Sequence, residues 1–202
     1  MKNYISINNQ KIELTEDQVE KIRATFDIST TRLAEVPVGE VVKIGDHEMI
    51  VLEQSGDTTA LIRKDFISTG TFGRNNNYDG SSVDEICNKF AEEITAIVGE
   101  KNIALHTVDL TSDDGLKDYG KIKRRASLLT TALYRRYVEI LDKFNPKKWW
   151  WLATAFSTKK HNDTSCVKCV SPSGYINFNG CFSDGGGVRP FCILKSTIFV
   201  SK

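Results

Sequence analysis

The last third of the chain consists of short apolar segments separated by turn residues, and this pattern constrains the fold most. It begins at the triple tryptophan Trp149-Trp150-Trp151 and includes the turn Pro172-Ser173-Gly174. Short runs rich in aromatic and β-branched residues between turn residues are typical of strands. We therefore predict that this third forms a sheet. Its predicted strands after the tryptophans cover residues 167–170, 175–178, 188–194 and 197–200.

A hairpin and a third strand are predicted earlier in the chain. Residues 41–44 and 48–52 are apolar runs on either side of the Gly45-Asp46 turn. Two such runs around a short glycine-containing turn are a strong hairpin signal. Residues 59–62 follow the Ser55-Gly56-Asp57 turn and are predicted to form the third strand.

Two long helices are predicted in the middle of the chain, with a strand at residues 103–110 between them. The first is capped by Ser81 or Ser82, because serine before an apolar stripe at helical spacing marks a helix start. The second covers residues 121–144 and ends at Asn145-Pro146. The buried stripe of the first helix is predicted to be Val83, Ile86, Phe90, Ile94 and Ile97.

The amino-terminal residues predict a small hairpin followed by a helix. The hairpin alternates around Asn8-Asn9, and the helix begins with Thr15 as cap and Gln18 three residues later, the spacing of a capping box. Its apolar stripe would be Val19, Ile22 and Phe26. We predict two units, residues 1–32 as this element and residues 33–202 as the main domain.

Composition restricts the class of protein. The 202 residues carry a net charge of +1, which gives no global attraction to nucleic acid or to an acidic membrane. Residues 84–118 have a charge balance of −6 and residues 121–148 one of +7, so we predict that the two segments attract each other. No membrane span or signal peptide is evident, so the chain is expected in the cytoplasm or in a phage particle assembled there. Its five cysteines are then expected to be reduced.

Four short motifs, in order, resemble an uncharacterised family of bacterial and phage domains over about residues 35–202. The family is similar in layout to the C-type-lectin-like fold of formylglycine-generating enzymes and of variable receptor-binding proteins. The resemblance implies an α+β domain with two helices packed on a twisted, mostly antiparallel sheet, a loop-rich binding face, and a phage or mobile-element origin. The motifs are Val42-Lys43-Ile44-Gly45 with Ile50-Val51-Leu52-Glu53, Tyr78-Asp79-Gly80-Ser81, Trp150-Trp151-Leu152 and Gly187-Val188-Arg189-Pro190.

The cysteines suggest a zinc site or an oxidase, and neither interpretation is favoured. Cys166 and Cys169 lie three apart on a predicted strand and would point to opposite faces. Cys181 and Cys192 have no Cys-x-x-Cys spacing, and they lie in different predicted elements, whereas a formylglycine-type oxidase needs a close reactive pair.

Other chemistries find no support in the remaining side chains. The histidines His47, His106 and His161 are scattered, and no Gly-x-Ser-x-Gly or calcium-ligand cluster occurs. We predict a protein that is not an enzyme and that has no metal and no cofactor.

A nucleic-acid interface remains an alternative. The polar side of the second predicted helix would carry a row of basic side chains able to follow a phosphate backbone, with Tyr134 as a stacking group. Such a face is more often solvated or paired with acidic residues. The basic residues of this alternative are Lys121, Lys123, Arg124, Arg125, Arg135 and Arg136.

The favoured hypothesis is a binding module that recognises a protein or surface ligand. In the strand at residues 175–179, Ile176 and Phe178 face one way and the other three residues face the opposite way, as a row of aromatic and amide groups suited to recognition. Adjacent strand residues point to opposite faces, so either Trp150 or the pair Trp149 and Trp151 would be exposed and mark an interface. The candidate ligand-binding residues are Tyr175, Asn177, Asn179, Trp149, Trp151, Asn76 and Tyr78.

Two further alternatives stay open beside this hypothesis. One is a phage-encoded inhibitor or regulator that acts on a host protein or nucleic acid through the basic helix. The other is a structural particle component whose amino-terminal hairpin and helix mediate assembly. This alternative includes formation of a homo-oligomer.

Overall fold

A computed structural model describes residues 3–7, 10–25 and 30–201 of the chain. Within these residues, three α-helices accompany sixteen short strands, and only one strand pair is parallel. The predicted α+β class with mostly antiparallel sheets is confirmed. The helices are α1 Glu16–Thr25, α2 Ser82–Val98 and α3 Thr131–Leu141. The first eight strands are β1 Asn3–Ile7, β2 Gln10–Leu14, β3 Thr30–Arg32, β4 Val41–Ile44, β5 His47–Ser55, β6 Thr58–Arg63, β7 Ser68–Gly70 and β8 His106–Asp109. The others are β9 Lys121–Arg124, β10 Ala126–Ser127, β11 Trp150–Ala155, β12 Cys166–Val170, β13 Ile176–Gly180, β14 Gly186–Val188, β15 Phe191–Lys195 and β16 Phe199–Ser201.

The strands form two main sheets and two separate hairpins. The larger sheet has the order β10-β15-β6-β5-β4-β16-β3, and the smaller one the order β13-β12-β11-β14-β7. The predicted hairpin of β4 and β5 is confirmed, and Gly45 in its turn has a φ of +58°, a left-handed value that favours glycine. The hairpins β1-β2 and β8-β9 pair with neither main sheet.

The hairpin and the helix of the amino-terminal element agree with their predictions where the structure describes them. The predicted extent, residues 1–32, is too long, because Thr30–Arg32 forms β3 and pairs with β16 in the larger sheet. β1 pairs with β2, and α1 begins with the expected capping box. The Thr15 backbone N–H donates to Gln18 Oε1 at 2.9 Å, and the Gln18 N–H donates to Thr15 Oγ1 at 3.3 Å. The predicted Asn8-Asn9 turn and the predicted apolar position Phe26 lie outside the described residues.

Helix α2 begins where the sequence predicts. The Ser81 hydroxyl accepts a hydrogen bond from the Asp84 backbone N–H, as an N-cap residue does. Of the predicted stripe, Val83, Phe90 and Ile94 are buried, while Ile97 near the carboxyl end is exposed.

The prediction of a second helix over residues 121–144 is wrong in its first half. Residues 121–124 form β9, which pairs with β8, and the helix α3 starts only after Thr130. The hydroxyl of Thr130 accepts a hydrogen bond from the Leu133 N–H, and this cap places the helix start. Polar and apolar side chains alternate in Lys121, Ile122 and Lys123, as they do in an exposed hairpin strand. This short segment therefore fits a strand as well as the helical spacing.

The predicted strand over residues 188–194 is divided between the two main sheets. β14 ends at Val188 in the smaller sheet, and β15 begins at Phe191 in the larger one. Pro190 has no N–H to donate to a sheet, so a break at this point is expected. The Arg189 side chain is fully buried here, and its Nε donates to the Arg63 carbonyl at 2.6 Å. Burial lowers the pKa of Arg189 to about 10.

Strand β11 is buried on both faces. Trp150 and Leu152 pack with α3 in one apolar cluster, and Trp151 and Ala153 pack with α2 in another. Neighbouring tryptophans do point to opposite faces, as predicted. The prediction that one of the faces is exposed is wrong, because each face is covered by a different layer. Trp150 and Trp151 are fully buried and Trp149 is half-buried.

Candidate functional site

Strand β13 is one edge of the smaller sheet and lies in the region predicted to bind a ligand. It pairs with β12 in a register that places Phe178 opposite Lys168 and Asn177 opposite Cys169. Phe178 and Asn177 therefore point to opposite faces, as the sequence predicts. Tyr175, just before the strand, and Asn177 are exposed, whereas Asn179 is half-buried.

Some of the backbone N–H and carbonyl groups at the outer edge of β13 already form hydrogen bonds with neighbouring residues. The Ser171 N–H donates to the Tyr175 carbonyl, so the backbone groups of Tyr175 and of every second residue after it point toward β12. The backbone groups of the residues between them point away from β12; these residues are Ile176, Phe178 and Gly180. Of these outward groups, the Phe178 N–H donates to Asn177 Oδ1 at 2.9 Å. The Gly180 carbonyl accepts from Ser183 in the following turn. These bonds hinder the addition of a further strand, so recognition here relies on side chains.

Two phenylalanines form an exposed pair on one face of the smaller sheet. The ring centroids of Phe156 and Phe178 are 4.9 Å apart, and the two residues are 38% and 47% exposed. Lys168, between them on β12, places its Nζ 5.4 Å from the Phe156 ring centroid and 6.0 Å from that of Phe178. We call these three residues, Phe156, Lys168 and Phe178, the aromatic patch.

Helix α3 leaves the aromatic patch uncovered because of where it begins. The Thr131 N–H donates to Thr154 Oγ1 at 3.0 Å, and the ring centroids of Tyr134 and Trp150 are 5.7 Å apart. The helix therefore starts beside the end of β11 and runs back along that strand. Phe156 lies beyond the helix start, and its ring and that of Phe178 are partly exposed to solvent.

An ion network holds the lysine of the aromatic patch in place. Lys168 Nζ lies 3.1 Å from Asp113 Oδ2, and Arg135 Nη2 lies 3.6 Å from Asp113 Oδ1. Lys168 is nearly buried, so its carboxylate partner and the two rings offset the loss of hydration.

A polar loop beside the patch is organised by Asp114. Its carboxylate accepts hydrogen bonds from Ser157 Oγ at 2.6 Å and from His161 Nδ1 at 2.9 Å. It also accepts one from Ser112 Oγ at 2.5 Å. The bonds from Ser112, Ser157 and His161 lower the pKa of Asp114 well below its usual range. This network joins residues 112–114 to the turn at Lys159–His161.

Asn76 and Tyr78 were predicted to contact a ligand, but both are fully buried. The Asn76 amide donates to the Ser157 carbonyl at 3.0 Å and accepts from Tyr119 Oη at 2.6 Å. The Tyr78 hydroxyl accepts from a backbone N–H, that of Leu128, at 3.1 Å. Burial raises the pKa of Tyr78 well above its usual value. These side chains hold loops together and cannot reach a ligand at the surface.

The tryptophans are also removed from the candidate surface. Trp151 Nε1 donates to the Gly70 carbonyl at 2.9 Å, and its ring centroid lies 4.6 Å from that of Trp149. Both side chains lie against β14, where a Cβ on Gly186 would meet Trp151 Nε1 at 2.1 Å. They therefore form part of the packing between β11 and the glycine-rich strand.

The basic residues of the nucleic-acid alternative do not lie on one helix. Of the six, β9 contains Lys121, Lys123 and Arg124, Arg125 follows this strand, and only Arg135 and Arg136 are in α3. Five of the six form ion pairs, whereas Lys123 Nζ donates to Thr107 Oγ1 at 2.6 Å. Four of the five pair with carboxylates of the acidic segment 84–118, in agreement with the predicted attraction, and the partners Asp79 and Glu53 lie before that segment. The pairs are Lys121–Asp109, Arg124–Asp79 and Asp84, Arg125–Glu100, Arg135–Asp113 and Arg136–Glu53.

The cysteines of the zinc alternative are divided between different parts of the core. Cys169 and Cys181 pack in the cluster that contains Trp151, whereas Cys192 packs in the cluster between α2 and the larger sheet. In the part of the chain that the structure describes, no three metal-ligating side chains come close enough to hold an ion. Burial raises the pKa of Cys169 to about 11 and that of Cys192 to about 12.

Sequence reasoning missed Phe156 and Lys168 as members of the site. The available signal was period two: Phe156 continues the alternation of Trp150, Leu152 and Thr154, and Lys168 is a charged residue inside an apolar strand. None of the helices in the described residues has the length and apolar composition needed to cross a membrane. No protein-family model, curated protein or solved structure matches the chain.

Proposed function

We propose that this protein is a binding module, without enzymatic activity, that recognises a protein or surface ligand through the aromatic patch. The observation that carries the proposal is the ring pair of Phe156 and Phe178, which contact each other while both remain exposed on one face of the smaller sheet. Neighbouring exposed aromatic side chains on a rigid strand framework mark an interaction surface more often than isolated ones do. Tyr175 and Asn177, on the opposite face of the same edge, extend the surface that a ligand can contact.

Burial of the two rings would supply a useful part of the binding energy. Full burial of a phenylalanine contributes about 1.5–3 kcal/mol, and each ring here is already about half-buried. The exposed parts of the two rings, 38% and 47%, add up to a little less than one full ring, so the pair would contribute about 1.3–2.6 kcal/mol, with the remainder from polar contacts around it. Little ordering is needed on binding, because Lys168 and the Phe156–Phe178 contact already restrict both rings.

The resemblance of the four sequence motifs to the C-type-lectin-like layout favours a binding role in general, although it implies a loop-rich face and the aromatic patch lies mainly on strands β12 and β13. The proposal of a non-enzymatic role is supported by the state of the thiols. Burial raises the pKa of Cys169, Cys181 and Cys192, which keeps these groups protonated and weakly nucleophilic. The ion pairs of Arg124 and Arg125 weigh against the nucleic-acid alternative, since a neutralised cation attracts phosphate less.

The test is capture of a partner by the immobilised full chain from a lysate of cells that carry its gene. We expect one partner to be retained by the unchanged chain and lost by the double variant Phe156→Ala/Phe178→Ala. Phe199→Ala is the matched control, because Phe199 is a comparably exposed phenylalanine on β16 in the other sheet. Equal retention by the double variant and the control would show that the patch is not the binding surface.

A role in assembly is a second candidate, and the amino-terminal element favours it. From Ile12 to Ile22, no residue is buried, and a cleft of about 670 Å³ lies between α1 and β16. An isolated two-stranded hairpin is only marginally stable, so a partner surface would stabilise this element. Light scattering on the full chain and on Ile12→Ser tests this: a multimer that the substitution weakens supports assembly, and two monomers contradict it.

A further inference from the structure

A cleft of about 670 Å³ lies between helix α1 and the larger sheet. On the side away from α1, its wall is formed by residues of β4, of β16 and of the carboxyl end of α2. The volume falls within the range of about 300–1,000 Å³ that is typical of sites for small molecules. We call this space the α1 cleft.

Apolar residues form part of the lining of the α1 cleft. Ile44, Ile198 and Val200 are core residues that also line it. Two further lining residues, Ile97 and Phe199, are 49% and 44% exposed. Exposed apolar side chains around one concave space are typical of a binding site, whereas single ones scattered over a surface are not. The cleft therefore offers apolar contact area to a ligand.

Two lining residues carry a buried oxygen that has no hydrogen-bond partner among the described residues. Asn102 is 6% exposed, and its Nδ2 donates to the Val98 carbonyl at 2.6 Å. This bond fixes the orientation of the amide, so Oδ1 is the atom left without a described donor. Thr30 Oγ1 is the other such atom, and the described residues contain no third side-chain oxygen in this state. Since Asn102 and Thr30 both line the α1 cleft, a hydrogen-bond donor inside it would satisfy groups that are costly to bury alone.

The charged residues of the lining balance each other. Glu16 and Glu20 belong to α1, Arg32 to β3 and Lys43 to β4. Two negative and two positive side chains attract neither an anion nor a cation in preference. A charged ligand would also lose hydration on entering the cleft, which an uncharged one does not. The lining therefore favours an uncharged ligand.

We infer that the α1 cleft binds an uncharged small molecule that has an apolar body and a hydroxyl group at one end. The apolar body would cover Ile97 and Phe199, and the hydroxyl would donate to Asn102 Oδ1, because an amide oxygen can only accept. This site goes beyond the function proposed for the aromatic patch. The two sites lie on different sheets, so each can fail without the other.

Displacement of Nile red, an uncharged apolar dye, from the full chain tests this inference. The dye is first titrated by fluorescence, and n-octanol or methyl heptyl ether is then added as competitor. The two competitors are isomers, and only the alcohol donates a hydrogen bond. We expect the alcohol to compete about two- to tenfold more strongly than the ether, which is the net effect of one neutral hydrogen bond. Equal competition by the two isomers would overturn the assignment of a donor to the ligand.

Tryptophan substitutions at the end of α2 show whether the dye lies in the cleft. Ile97 Cδ1 is 2.8 Å from the position that a Cβ on Gly45 would occupy, so the Ile97 side chain reaches from α2 to the turn after β4. Ile97→Trp should fill part of the cleft and weaken binding of the dye about tenfold or more. Ala96→Trp is the matched control, because Ala96 is the preceding residue, is exposed and is not part of the lining. The control should bind the dye within about twofold of the unchanged chain.

A variant of Asn102 tests the hydrogen bond itself. Asn102→Leu removes Oδ1 and should abolish the preference for the alcohol over the ether while the dye still binds. A preference that persists in this variant would contradict the role of Asn102. If Asn102→Leu does not fold, the comparison of the two isomers on the unchanged chain still decides the inference.

The remaining outcomes would overturn the site. Failure of the dye to bind, or binding that survives Ile97→Trp, would show that the cleft does not hold such a ligand. Binding that is instead lost in Phe156→Ala/Phe178→Ala would place the dye on the aromatic patch. A multimer in light scattering that Ile97→Trp dissociates and Ala96→Trp does not would show that a second copy of the chain occupies the cleft.

Discussion

The pair formed by Arg124 and Asp84 provides the sharpest prediction about stability. Arg124 Nε lies 2.9 Å from Asp84 Oδ1, and Arg124 Nη2 lies 2.7 Å from Asp84 Oδ2. The Asp84 side chain is 1% exposed and that of Arg124 is 20% exposed. The interaction joins the first turn of α2 to β9 through a two-point, charge-assisted contact.

Replacement of Arg124 by methionine keeps most of the side-chain length and removes the charge. The Asp84 carboxylate then stays buried and keeps one hydrogen bond, which Asp84 Oδ2 accepts from the Gly80 N–H at 3.0 Å. Loss of one partner of a buried ion pair costs about 3–5 kcal/mol. We expect about 3 kcal/mol, near the lower limit, because the guanidinium is partly hydrated. For a chain of this size, the midpoint of thermal unfolding would fall by about 6–12 °C.

Arg125→Met is the matched control for this change. Arg125 is the next residue and pairs with Glu100 at 2.6 Å, but both side chains are more than a third exposed. Its loss should cost at most about 1 kcal/mol. Urea unfolding followed by the fluorescence of the buried tryptophans measures both values. Equal effects of the two substitutions would refute the reasoning. If Arg124→Met were as stable as the unchanged chain, Arg124 would be available to bind phosphate, as the nucleic-acid alternative requires.

Three further predictions concern buried groups. Burial lowers the pKa of His106 to about 4, below the value of about 6.5 expected in the unfolded chain, so its protonation favours unfolding as the pH falls. Between pH 6.5 and 4, the unchanged chain should lose about 3 kcal/mol more stability than His106→Gln in urea unfolding, and parallel pH profiles would contradict this. Tyr78→Phe leaves a buried backbone N–H without its acceptor and should cost about 1–3 kcal/mol by the same assay, whereas the exposed Tyr175→Phe should cost almost nothing. A thiol reagent should rapidly label only the half-buried Cys166 in the native chain. Buried thiols such as Cys192, whose pKa is raised to about 12, should react only after unfolding. Fast labelling of a second cysteine would contradict this packing.

Local elements were predictable because their causes lie within a few residues. The hairpin of β4 and β5 depends on one glycine turn between two apolar runs, and the start of α2 depends on the Ser81 cap. The capping box of Thr15 and Gln18 is equally local. In each case a side chain or a turn satisfies backbone groups of its own segment, which a linear pattern can display.

Residues 121–144 show where a linear pattern is ambiguous. Their apolar residues fit helical spacing, and residues 121–124 also alternate with period two. The partner strand β8 resolves the ambiguity, since its pairing with β9 satisfies the backbone groups of residues 121–124. A pairing between two strands of a chain is a tertiary choice, and propensity alone does not make it.

The site itself was only partly predictable. Alternation places Tyr175 and Asn177 on one face of β13 and Phe178 on the other, and this is a local property of an extended backbone. Whether the face that carries Phe178 is covered or left in solvent is not a local property. It depends on the helix start at Thr131, more than forty residues away in the chain, which covers Trp150 and leaves Phe156 exposed.

The amino-acid sequence by itself determined the α+β class, the local turns and caps, and the face on which each strand residue lies. Only the tertiary structure decided that Asn76, Tyr78 and Trp151 are buried and that Lys121 and Arg124 are paired with carboxylates. The physical reason is that burial and ion pairing depend on which distant segments meet. Those meetings follow from the packing of whole layers, which a period along the chain does not encode.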